Sequence, residues 1–307
     1  MESKQSVRTQ IRTNISRRKN SADKFMPRFF FIMASVSVVT TVGIVGTLIF
    51  DAIKFFQTVS FAQFFSTELS PLSANPTFGV LPLINGTLLS SLIAMMVAIP
   101  VGLTAAMYMS EFASARTRKF VKPIMEVLAG IPTIVYGFFA YSFVTPLLMK
   151  IIPTLGAKNV LSPGIVMGIM IIPMVASLSE DAMNSVPNAM REGAYGLGST
   201  KLEVTTKVVL PSAISGIMAS FVLAISRAIG ETMIVAIASG SSKNFTFDIT
   251  ESMQTMTGYI VEFTSGDAGS GTTGYYSLYA VGLLLFAFTF IMNMIAQYIS
   301  KRYREEY

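Results

Sequence analysis

The sequence has 307 residues, of which 52% are hydrophobic and only 13% charged, with a mean hydropathy of +0.59; this is the balance of a membrane protein rather than of a soluble domain. Cysteine, histidine and tryptophan are all absent, which removes disulfide frameworks, thiol nucleophiles, imidazole acid/base chemistry and His/Cys metal sites together, so no catalytic residue and no metal-ligand set is expected. In so apolar a chain a net charge of +6 points to membrane orientation and not to nucleic acid.

A membrane-spanning helix needs about 20 mostly apolar residues to cross about 30 Å of hydrocarbon. After a basic tail over 1–28, six segments meet that length, at about 29–50, 83–109, 123–149, 159–179, 211–239 and 275–300, followed by a short tail over 301–307. They predict an all-α, polytopic membrane protein. The polar lead and first apolar stretch are too long for a cleaved signal, and Asp51 and Lys54 follow without a small-residue cleavage pattern, so the lead is read as an uncleaved tail.

Cytoplasmic flanks retain Lys and Arg. The N-terminal tail carries Lys4, Arg8, Arg12, Arg17, Arg18, Lys19, Lys24 and Arg28, the second to third connection Arg116, Arg118, Lys119 and Lys122, the fourth to fifth Arg191, Lys201 and Lys207, and the end Lys301, Arg302 and Arg304. The opposite side has only Lys54, Lys150, Lys158 and Lys243. Both termini are therefore expected in the cytoplasm, with membrane lipid as the surrounding partner.

Within the spans, Pro100, Pro132, Pro146 and Pro173 each remove a helix hydrogen bond. Such breaks are either packing kinks or the lining of a solute path. Glu126 lies near the cytoplasmic boundary of the third span, and Glu180 and Asp181 end the fourth, where they either brace the following loop or are solvated.

The loop over 180–210 reads as helix, glycine turn, helix. Ser185 is placed to cap a first helix with Pro187 in its first turn, Gly196 and Gly198 to end it, and Thr200 with Glu203 to form a capping box for a second helix handed over by Leu210 and Pro211. Met190, Ala194 and Leu197 form a small apolar face, suited to a groove on a partner or to the lipid interface. In the fifth span, Arg227 and Glu231 share one face at i,i+4 spacing. Charges at that depth either neutralise each other structurally or face a pathway, and arginine offers a permanent fork of donors for an oxyanion. Outside, Ile249, Met253, Met256, Ile260 and Phe263 recur at helical spacing and predict a short amphipathic helix between Gly240 and Gly274.

Glu192, Ala194, Gly198, Val208, Leu210 and Pro211 resemble, in order and spacing, the pattern E-A-A-x3-G-x9-I-x-L-P of permease subunits of ATP-binding-cassette importers, with Gly193 for the alanine of its second position and Val208 for its isoleucine. The resemblance implies the six-span type I permease fold. It also implies that the 185–211 loop couples to a separate ATPase through Met190, Glu192, Gly193, Ala194, Leu197, Gly198, Leu210 and Pro211. No G-x-x-x-x-G-K-[ST] loop occurs, so the chain is not expected to be an enzyme; ATP and Mg would be bound by the partner.

The strings Arg227-Ala-Ile-Gly-Glu231-Thr-Met, Gly130-Ile-Pro132-Thr-Ile-Val-Tyr136-Gly137 and Pro82-Leu-Ile-Asn-Gly86-Thr look like those of phosphate-specific importer permeases, of the C-type. That resemblance implies a path for inorganic phosphate past Arg227 and Glu231, in the plasma membrane of a bacterium or archaeon. Its implied partners are an A-type permease as heterodimer, two ATPase subunits and an extracytoplasmic phosphate-binding protein. A sulfate or molybdate permease, and further off a secondary transporter, are the alternatives.

Overall fold

The structure, a computed structural model, describes residues 21–267, 269 and 271–302. The basic residues Lys4, Arg8, Arg12, Arg17, Arg18, Lys19 and Arg304 lie outside the described residues. The chain divides after Phe50 into two compact units. In the first, helix α1 (Ser21–Thr58) exposes Phe30, Phe31, Val38, Val39 and Val42, a surface without a polar face whose backbone groups bond inside the helix, as lipid requires.

In the second unit, the end of α1 buries Ala52 and Phe55. A short helix α2 (Phe61–Phe64) is capped by the Ser60 hydroxyl, which accepts from the Gln63 N–H, and strands β1 (Leu69–Ser70) and β2 (Thr77–Phe78) pair antiparallel with Leu69 opposite Phe78. Helix α3 (Leu81–Met107) starts with Pro82 in its first turn and runs on as a π-helical stretch through Phe112. Then come α4 (Ala115–Gly130), α5 (Thr133–Phe139) and, after a π-helical turn, α6 (Thr145–Met149). Helix α7 (Leu161–Asn184) is followed by α8 (Asn188–Gly196), α9 (Lys201–Val204), a π-helical turn and α10 (Leu210–Ser212). The remainder is α11 (Ile214–Ile229), α12 (Met233–Ala238), α13 (Met256–Glu262) and α14 (Thr273–Arg302).

Among the described residues, four continuous stretches are long and apolar enough to cross a membrane: Phe25–Thr58, Leu81–Phe112, Leu161–Asn184 and Thr273–Ile299. Two bent pairs raise the number to six if each is one span: Ala115–Gly130 with Thr133–Met149, bent by 87°, and Lys201–Ser212 with Ile214–Ile229, bent by 71°. The expected third span is thus two helices meeting at Pro132, and the expected fifth ends as a helix at Ile229 and resumes at Met233. Pro100 and Pro173 sit inside continuous helices, and Pro146 opens α6. The amphipathic helix expected between Gly240 and Gly274 is also shorter than its periodicity predicts. Only Met256–Glu262 is α-helical; Ile249 and Met253 belong to a non-helical segment, in which Met253 is buried by packing beside Val160 and Ile93.

The core is a close pairing of α3 with α7. A methyl group added at Gly102 would lie 2.8 Å from the Val175 side chain, at Gly164 2.8 Å from Ile93, and at Gly168 2.7 Å from the Ala94 carbonyl. In lipid, where apolar burial drives little association, such close backbone approach supplies the packing between helices. Around it Tyr136 and Ala140, Met167, Ile171, Val175, Ala224, Ala228, Ile234 and Ala238 form one buried cluster. The buried hydroxyls of Ser179 and Ser220 bond at 2.9 Å and tie α7 to α11, a link of about 0.6–2 kcal/mol.

Candidate functional site

The loop between α7 and α11 shows how its sequence works. Helix α8 begins after Pro187, two residues later than the expected Ser185 cap, because α7 runs on to Asn184. It ends in a Schellman motif: the Ser199 N–H donates to the Ala194 carbonyl at 3.2 Å and the Gly198 N–H to that of Tyr195 at 2.9 Å, with Gly198 at φ 86°, a conformation cheap only for glycine. Thr200 and Glu203 form the reciprocal capping box. The Thr200 N–H and hydroxyl, followed by Lys207, hold the Glu203 carboxyl down to about 2, which keeps this loop cap charged at neutral pH.

The expected apolar docking face divides in two. Met190 and Ala194 turn inward, onto a cluster of Met183, Val186, Val204, Val209, Ala213 and Ile217, and Leu210 packs there too. Leu197 is 89% exposed, and Glu192, Gly193, Tyr195 and Gly198 are exposed with it. Pro211 lies in the short helix α10 and is exposed. A partner meeting α8 therefore meets Leu197, Tyr195 and Glu192, while Met190 and Ala194 anchor the helix from beneath.

Sequence reasoning missed Arg191. Its guanidinium donates to the Glu111 carboxylate through Nη2 at 3.0 Å and Nε at 3.2 Å, and to the carbonyls of Met183 at 2.8 Å and of Val186. The two side chains are only 13% and 6% exposed. Eighty residues separate them, so no spacing rule links them; the one available signal is a carboxylate, Glu111, closing an otherwise uncharged apolar interval.

Arg227 and Glu231 are not brought together as the i,i+4 rule predicts. Helix α11 ends between them, with Gly230 as its cap. Glu231 is buried, and its Oε1 accepts from the Met233 N–H at 3.1 Å and the Ile234 N–H at 3.5 Å, so the carboxylate satisfies the free donors at the start of α12. Arg227 is exposed, and among the described residues no hydrogen bond or ion pair engages its guanidinium. It faces a cavity of about 530 Å³ lined also by Lys122, Met125, Glu126 and Ala129 of α4 and by Met170, Pro173, Met174, Ser177, Glu180 and Asp181 of α7. From Asp181, near the loop end of α7, to Met170 the cavity wall extends about 16 Å at 1.5 Å per residue. Lys122 pairs with Glu180 at 3.2 Å; the other oxygen of Glu180 is buried without a partner. Among the described residues no group of His, Cys, Asp and Glu is arranged to hold a metal ion.

The three short strings have local physical roles. At the bend in the third span, Pro132 stops one helix and starts the next, and the Tyr136 hydroxyl donates to the Leu128 carbonyl at 2.8 Å, satisfying a group the bend frees. Gly137 lets α12 approach, for a methyl there would sit 3.1 Å from the Met233 carbonyl. At the start of α3, Gly86 leaves room for the Gln254 carbonyl, 2.4 Å from where a Cβ would be. The Thr87 hydroxyl accepts from the Met256 N–H at 3.0 Å. The Thr257 hydroxyl donates to the Glu231 carbonyl at 2.7 Å, so the segment from Gln254 to Thr257 rests on both α3 and the break.

The family described as binding-protein-dependent transport system inner membrane component matches residues 98–305. Among relatives, a probable ABC transporter permease protein, YqgH, of Bacillus subtilis is 30% identical over 88% of this chain and 86% of its own length. The phosphate transport system permease protein PstC of Mesorhizobium japonicum is 31% identical over 88% and 87%. Among solved structures, a chain of a bacterial alginate ABC transporter superposes with a TM-score of 0.58 at 16% identity, covering 94% of this chain and 99% of that one. A chain of the inward-facing MetNI methionine ABC transporter gives 0.52 at 17% identity, over 74% and 95%. With the family matched over most of the sequence and the ABC permease fold shared, the chain belongs to the binding-protein-dependent transport system inner membrane component family and is a multi-pass membrane permease rather than an enzyme.

Proposed function

We propose that the chain is the C-type permease subunit of an ATP-driven phosphate importer, with both termini in the cytoplasm. In this reading it pairs with an A-type permease, two ATPase subunits that bind ATP and Mg, and an extracytoplasmic phosphate-binding protein. The observation that carries it is Arg227: a permanent cation at the end of α11, without a carboxylate partner among the described residues and open to the cavity. A guanidinium so placed has unused donors for the oxygens of an anion. Three carboxylates, Glu126, Glu180 and Asp181, line the same cavity and keep it from holding an anion tightly, which suits a path. The relatives named as phosphate transport permeases support phosphate as the cargo.

The exposed side of α8, with Leu197, Tyr195 and Glu192, is the surface offered to the ATPase, and the 185–211 loop is the coupling element. The test is uptake of radiolabelled phosphate in cells lacking the chain, complemented with wild type or with Arg227→Gln. Wild type restores uptake; the variant assembles at normal level and leaves uptake at background. Normal uptake by Arg227→Gln would remove Arg227 from the path, and inhibition of wild-type uptake by sulfate or molybdate as strongly as by phosphate would overturn the cargo.

A further inference from the structure

We propose that the buried Arg191–Glu111 pair is the joint that delivers the movement of α8 to α3. The inference rests on the reading of α8 as the ATPase-coupling helix and adds where its displacement goes. Three elements converge at this point. Arg191 projects from α8, Glu111 from the π-helical end of α3, and the Met183 carbonyl from the last turns of α7. The Ser110 hydroxyl, beside Glu111, reaches its Oε1 at 3.2 Å and Asn184 Oδ1 at 3.0 Å.

A desolvated arginine fork with a carboxylate and two carbonyls fixes both distance and orientation, which an apolar contact does not. Beside Arg191, Met190 and Ala194 join an apolar cluster that takes in Ala106 of α3 as well as Val204, Val209 and Ile217, contacts that carry no hydrogen-bond direction. The polar joint is thus the directional connection of α8. At the far end of α3, Gly86 and Thr87 contact the Gln254–Met256 segment, and Thr257 holds the Glu231 carbonyl at the break after Arg227. A push on α8 that moves α3 therefore reaches the outer cover and the break together. Arg191 is a positioning residue in this scheme: it touches neither the cavity nor the cargo.

The test uses the complete importer in proteoliposomes, with radiolabelled inorganic phosphate as probe and phosphate carried per ATP hydrolysed as the readout, a ratio that reduced folding yield alone does not change. The double variant Arg191→Met/Glu111→Leu replaces the pair by apolar groups and avoids stranding a charge. It is expected to retain the ATPase on co-purification while the ratio falls roughly tenfold, within the range by which residues of a coupled network alter coupling. Arg191→Lys keeps the charge but loses the fork and should lower the ratio less. An unchanged ratio in the double variant overturns the proposal, as does loss of the ATPase from an otherwise intact permease, which would make Arg191 part of docking. Should the double variant fail to assemble, an unchanged ratio in Arg191→Lys overturns it instead. Leu197→Asp tests the underlying reading separately: if it leaves the ATPase bound and active, α8 is not the docking helix.

Discussion

Two arginines of this chain have opposite fates. Arg227, four residues from a carboxylate on the expected helix, stands apart from it because the helix breaks; Arg191, with no nearby acid in sequence beyond Glu192, is buried against Glu111 eighty residues away. The i,i+4 rule presumes an unbroken helix, and Gly230 ends α11 just after Arg227. A guanidinium that no ion pair engages among the described residues, beside a cavity, keeps its donors open to an anion. One held by a carboxylate and two carbonyls is committed to structure.

Substitutions put that contrast to the test. The largest effect on stability is expected at the clasped arginine: Arg191→Gln strands Glu111 as a buried unpaired charge and should cost about 3–5 kcal/mol, read by chemical unfolding of the detergent-solubilised protein, whereas Arg227→Gln should change that curve little. A similar loss at both sites would erase the distinction. On uptake the order reverses. Arg227→Lys keeps the charge without the fork and should lower phosphate uptake on the order of tenfold, at a cost of about 1.4 kcal/mol.

Glu231 provides a finer test. As a helix cap its carboxylate is replaceable by another acceptor, so Glu231→Ala should cost about 1 kcal/mol and Glu231→Gln much less; if Glu231→Gln abolishes uptake as fully as Arg227→Gln, the carboxylate charge serves the path as well. The smallest effect is expected at the turn after α8, where Gly198→Ala places a side chain at φ 86° and should cost about 1 kcal/mol, seen as a small shift in the unfolding midpoint.

Much of the architecture was legible from composition alone. The uncharged intervals around α1, α3, α7 and α14 are long enough that only a membrane helix accommodates them, and the Thr200–Glu203 capping box is a local pattern read from four residues. Apolar length does not report direction, and so the corners at Pro132 and Ala213 and the helix break at Gly230 were hidden: proline is as compatible with the continuous helix at Pro100 and Pro173 as with a corner. The inward turn of Met190 and Ala194 was hidden for a related reason, since periodicity gives a face but not what the face meets. At the candidate site, Arg227 was legible as a costly intramembrane charge; Lys122 and Glu180 became neighbours only through the packing of α4 on α7.

The glycines between α3 and α7 have a mechanical meaning. Gly102, Gly164 and Gly168 place one backbone against side chains and carbonyls of the other helix with no space for a methyl, and surfaces locked that tightly cannot slide past each other without separating. These two spans then behave as one stiff beam. The cycle of any machine built on this chain has to be accommodated by its jointed parts, at the 87° and 71° corners and at the interruption between Arg227 and Glu231. Enlarging one of those glycines to alanine would loosen the beam, and the lost motion would appear as fuel consumed without cargo delivered.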